Sequence, residues 1–150
     1  DATDIGLWTG AYFVLGFPYE TIDSINKTVE YALASDLDMA AFFAATPYPG
    51  TELYEIMAQE GLVPDDVTYW STMRPNWGTK VLTQEQLQQL VVGARSRFQV
   101  SRMIKFLNPL KIKKKVHSFE ELKYLLKVAR AVISAQLKVR RAGRIQPYLK

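Results

Sequence analysis

The chain contains no cysteine and a single histidine, His117. These scarcities exclude a disulfide framework, a thiolate zinc site, a cysteine nucleophile and a multi-histidine metal centre within these residues. Long apolar runs are missing as well: none reaches the roughly 20 residues needed to cross a bilayer. The amino end, DATDIGLWTG, lacks the basic and apolar regions of a signal peptide. Chemistry in this chain must rest on carboxylates, hydroxyls, backbone groups or a bound cofactor. His117, beside a lysine run and next to a helix start, reads as a surface neighbour of the cap rather than a ligand.

Acidic residues are scarce only in the last third of the chain. Residues 101–150 hold fourteen Lys and Arg against Glu120 and Glu121, a net of +12. The first hundred residues hold five against thirteen, a net of −8. The overall +4 thus joins an acidic body to a basic tail. The 150 residues are 48% hydrophobic and 23% charged, which reads as a soluble, globular domain with a real core.

Two apolar runs carry the organisation. Ala11–Phe17 and Met39–Ala45 lack period-two alternation, so each reads as a strand buried on both faces. Between them Ile22, Ile25, Val29, Ala32 and Leu33 fall on one stripe of a helix over 22–35, with Thr21 as its cap. Strand, helix, strand with short joints predicts a βαβ unit and a parallel pair. Thr51 opens a second helix, Glu52 to Glu60, ended by Gly61. Thr83 with Gln86, and Ser118 with Glu121, are capping boxes for two later helices. The stretch 63–81 is irregular and aromatic, with Tyr69, Trp70 and Trp77 as pocket or edge-covering candidates. A two-stranded sheet leaves its outer edges exposed, so strands upstream or a self-paired sheet are expected.

Each strand ends in an unusual loop: Gly16-Phe17-Pro18-Tyr19-Glu20-Thr21, and Thr46-Pro47-Tyr48-Pro49-Gly50-Thr51. From punctuation alone, both are rigid turns that start helices. Together with Gly10, Tyr12–Leu15 and Thr28-Val29-Glu30-Tyr31-Ala32, they resemble the C-terminal half of a radical S-adenosylmethionine (SAM) domain. The nearest group is the one whose members carry a cobalamin-binding domain. The resemblance is close over about the first 60 residues and looser through the LTQEQLQQL helix. It implies an α/β fold, the fifth and sixth strands of a partial (β/α)6 TIM-like barrel, followed by a helical C-terminal extension. The boundary falls between residues 1–82, the barrel part, and 83–150, the extension with its basic tail.

The resemblance also implies a site. Val14, Gly16, Phe17, Pro18 and Glu20 of the first loop, with Thr46, Pro47 and Tyr48 of the second, are placed against the adenosine of SAM. Val14 is an apolar contact and Gly16 the position of close approach. Glu20 has a second reading as a partner of the helix dipole. The implied activity is reductive SAM cleavage to a 5′-deoxyadenosyl radical, with cobalamin-dependent methylation or related C–H functionalisation. The cluster that drives it, a [4Fe–4S] group on three cysteines, has no ligands in this chain. The chain is therefore expected to be a piece of a longer enzyme, inactive alone, whose remainder is its first partner. No catalytic residue is assigned. Tyr19 departs from the family, which usually has glycine there, and puts in doubt a turn needing positive φ.

Small-molecule or lipid-like substrates fit this reading, with a cytoplasmic location. The basic tail reads as a solvated face or as a peripheral contact with anionic membrane. Nucleic acid is disfavoured, because the tail has few aromatics and no RNA-binding signature. Two rivals stand beside the enzyme: an RNA-modifying radical SAM relative, and a cysteine-free half-barrel binding module that pairs with itself.

Overall fold

The structure is a computed structural model, and it describes residues 2, 5–63, 71–106, 115–116 and 118–141. The chain runs β1 (Gly10–Leu15), α1 (Ile22–Ala34), β2 (Met39–Ala44), α2 (Glu52–Gln59), α3 (Gln84–Phe106) and α4 (Phe119–Arg141). It is a mixed α/β arrangement with one two-stranded parallel sheet and four helices among the described residues. The register pairs Gly10 with Met39 and Leu15 with Ala44. Tyr69, Trp70, His117 and the lysines at 111, 113 and 114 lie outside the described residues.

Local chemistry sets the helix ends. Thr21 and Ser24 bond each other's backbone N–H, at 3.0 and 3.2 Å, and start α1. Thr83 and Gln86 do the same for α3, at 2.9 and 3.3 Å. The Ser118 hydroxyl accepts from the Glu121 N–H at the start of α4. At the end of α2, Gly61 adopts φ +66°. There the Leu62 N–H reaches Met57 O and the Gly61 N–H reaches Ala58 O, closing a Schellman motif.

The strands depart from the expectation of burial on both faces. Ala11, Phe13 and Leu15 with Ala40, Phe42 and Ala44 turn toward α1 and α3, while Tyr12, Val14 and Met39 stand exposed. Helices α1 and α3 pack on one face, and the other face keeps Tyr12, Val14 and Met39 largely bare. The covered face is the core. Leu15, Ile25, Val29, Phe42, Leu87 and Val91 are buried together. Phe42 stacks on Phe13 at 5.1 Å and meets Phe98 edge-on at 6.1 Å. Each such side chain contributes about 1.5–3 kcal/mol by leaving water. α3 thus shares one core with the strands.

Three cations tie this core to distant backbone. The far edge of β2, away from β1, is met by Arg95, whose Nε and Nη2 donate to Phe42 O at 2.8 and 2.6 Å. Alongside, the Ala44 N–H donates to Thr72 O. Arg102, buried on the Phe98 ring, donates to Ala32 O at 3.0 Å and Ser35 O at 2.9 Å. The last turn of α1 has no basic residue of its own, so α3 supplies the cation that its C-terminus favours. Burial pushes the pKa of Arg102 below the ordinary arginine value, against the pull of Asp36 and Asp38. Lys115 reaches Asp38 Oδ1 at 2.6 Å and Leu7 O at 3.1 Å, and the same carboxylate accepts from the N–H and hydroxyl of Thr9.

Candidate functional site

Both singled-out loops leave the same end of the sheet. They are joined where the Ala45 N–H donates to Leu15 O at 2.8 Å. The first loop turns at Gly16, which has φ +88°. This conformation disfavours any side chain, and the space does too: a Cβ on Gly16 would sit 2.6 Å from Leu87 Cδ1. The close approach seen at Gly16 is therefore with the core of α3. Glu20 folds back, and its Oε2 accepts from the N–H of Gly16 at 2.6 Å and of Phe17 at 2.9 Å. The Glu20 N–H donates to Phe17 O at 3.0 Å, closing a turn over 17–20. Tyr19 sits in that turn without positive φ; no described residue other than glycine has one. The turn therefore needs no glycine at this position, and the Tyr19 ring is 63% exposed.

The second loop is equally constrained. Thr46 donates from its hydroxyl to Ala44 O, and Tyr48 O accepts from both the N–H and hydroxyl of Thr51. Gly50 takes φ +84° just before that cap. The buried indole of Trp77 donates from Nε1 to Ala45 O at 3.1 Å, pinning the exit of β2 from below.

The site residues divide by what they present. Val14, Phe17 and Tyr48 offer surface, with Val14 45% and Tyr48 50% exposed. Pro18 and Pro47 are buried and stiffen the chain behind that surface. Gly16 is also buried, and Glu20 and Thr46 spend polar atoms on the loops themselves. Tyr12, 82% exposed, extends the apolar surface along the sheet and meets Phe43 at 5.9 Å. These individually exposed side chains make up the apolar surface, or shelf, at the carboxyl ends of the strands. Among the described residues no group of three or more His, Asp or Glu is placed to hold a metal ion.

Sequence reasoning missed a third side to this mouth. The Lys80 N–H donates to Pro18 O at 3.2 Å, and its ammonium lies 5.0 Å from the Tyr19 ring centre while pairing with Glu60. The hydrogen bond that Lys80 donates to Glu60 holds Lys80 above its ordinary pKa, against an opposing effect of desolvation. Lys80 lies in the irregular aromatic segment, where no local pattern announces a contact with residues sixty positions earlier.

No protein-family model matches the chain. It is 36% identical over 98 residues to the uncharacterized methyltransferase PH0819 of Pyrococcus horikoshii, covering 65% of this chain and 21% of that protein. It is 29% identical over 80 residues to cytidylyl-2-hydroxyethylphosphonate methyltransferase of Streptomyces wedmorensis, covering 49% of this chain and 15% of that protein. The chain thus spans about a fifth or less of the length of these curated relatives.

Proposed function

We propose that this chain is the late part of the catalytic barrel of a SAM-dependent methyltransferase of the radical type, and that its shelf receives the adenosine of SAM. The observation that carries the reading is the pairing of two rigid loops at one end of a parallel sheet, beside the exposed surface of Val14 and Tyr48. Sites in barrels of βα units lie at the carboxyl ends of the strands, which is where these loops stand. Two relatives with methyltransferase names agree with methylation. In this reading the helix-covered face is the outside of a partial (β/α)6 barrel, and the bare face of Tyr12, Val14 and Met39 is its lumen.

The residues present fit SAM in part. Val14, Phe17 and Tyr48 would offer apolar contacts to the adenine, while Gly16 and Pro47 hold the loops that position them. SAM bound in such a site supplies a methyl group or a 5′-deoxyadenosyl radical. The chain does not fit a [4Fe–4S] cluster, because it has no cysteine to ligate one.

Isothermal titration of the full-length protein with SAM tests the site. Tyr48→Ala is expected to weaken binding roughly fivefold, the worth of one aromatic contact. Val14→Glu, which puts a charge on the shelf, is expected to weaken it about tenfold or more. Tyr31→Ala, exposed on α1, serves as the control and should change nothing. Unchanged affinity in both shelf variants would remove the assignment.

A further inference from the structure

α4 carries more apolar surface than its own packing uses. Leu122, Leu125 and Ala129 face an apolar groove of about 990 Å³ that α4 shares with Met103 of α3 and with Tyr12 and Met39 at the amino end of the strands. One strip further round, Phe119, Leu126, Ile133 and Leu137 stay exposed, Leu126 by 54% and Leu137 by 52%, and Leu126 and Ile133 also form the rim of the groove. At about 100° per residue these four fall within an arc of roughly 40°. Lys123, Lys127, Arg130 and Lys138, all exposed, occupy the adjoining arc of roughly 80°. Glu120 shares that arc and pairs with Lys123 at 3.0 Å; Glu121 lies on the far side of the helix.

Apolar strip and cation row together narrow the occupant. A protein partner would cover the strip without needing a bordering row of cations. A nucleic acid would use the cations and leave the strip wet. An anionic lipid surface uses both, with apolar side chains at the acyl boundary and cations at the headgroup phosphates. The charge of residues 101–150, net +12, adds the long-range attraction. No helix among the described residues is long and apolar enough to cross a membrane, so the geometry is that of a helix lying on it.

We propose that α4 binds the surface of an anionic lipid membrane in this orientation. The proposal is independent of SAM chemistry. Its test is co-sedimentation of the full-length protein with vesicles of phosphatidylcholine alone, or with about 30% phosphatidylserine added. Binding to the anionic vesicles only, weakened by raising salt from about 0.1 M to about 0.5 M, is expected. Lys123→Gln/Lys127→Gln/Arg130→Gln should lower the partition coefficient roughly a hundredfold. Leu126→Ser/Leu137→Ser should lower it roughly tenfold with every cation intact. All five positions are exposed, and circular dichroism checks that the helix is kept.

Equal binding to both vesicle types, no binding to either, or indifference to both variants overturns the proposal. Self-association without lipid that the leucine variant abolishes would instead assign the strip to a second copy. RNA binding lost in the cation variant, with no vesicle binding, would assign the row to nucleic acid.

Discussion

Gly16 tolerates change least among the loop residues, for two separable reasons. Its φ of +88° strains any L side chain, and its missing Cβ leaves room for Leu87. Gly16→Ala is expected to cost about 2–4 kcal/mol in denaturant unfolding, from backbone strain plus overpacking. In a Leu87→Ala background the overpacking part disappears, so the double variant should fall short of additivity by about 1–2 kcal/mol. Full additivity would mean that only the backbone matters. Glu20 is the second critical position, because its one oxygen serves two N–H groups. Glu20→Ala should destabilise by about 1–3 kcal/mol, and Glu20→Gln by less, since an amide oxygen still accepts. Equal losses would show that the carboxylate charge, and not the acceptor, is what the turn needs.

Helix starts were legible because they are short-range chemistry: Thr21, Thr51, Thr83 and Ser118 each act on an N–H three residues away. The parallel pair was legible for a related reason, since a strand-helix-strand order with short joints leaves few alternatives. One-sided strand burial was not legible. The composition of GAYFVL is apolar throughout, and which half is covered depends on the approach of α1 and α3. The two loops could be singled out by their glycines and prolines, but the engagement of Glu20 with Gly16 and Phe17 could not. Arg95 and Arg102 left no trace at all, because their acceptors lie 22 to 70 residues away. Arg102→Gln tests how much one such contact holds between elements. Loss of the guanidinium leaves the end of α1 short of donors, so unfolding should be eased by about 2–4 kcal/mol. Hydrogen exchange should localise the change to the last turn of α1; uniform exchange across the chain would refute a local clamp.

At the level of the whole molecule, Lys115 links the segment before α4 to the start of β2. The pair is buried, with side-chain exposures of 6% for Lys115 and 9% for Asp38. Breaking such a pair from one side strands a charge, which costs about 3–5 kcal/mol. Asp38→Asn and Lys115→Met are each expected to be costly. The double variant should be less costly than the sum by about 2 kcal/mol or more, measured by urea denaturation. Simple addition would mean that Asp38 matters only through Thr9.

The two margins of the sheet differ in kind. On β2, Arg95 and the Thr72 carbonyl occupy the outward groups of Phe42 and Ala44. On β1, no described residue pairs with the outward groups. Growth of this sheet is therefore vectorial: a further strand has a template beside β1 and a plugged margin beside β2. Any circular permutation, domain fusion or strand-like inhibitor that respects this polarity must approach from the β1 side. A peptide aimed at β2 would first have to evict a guanidinium that already holds two of its hydrogen bonds on one carbonyl.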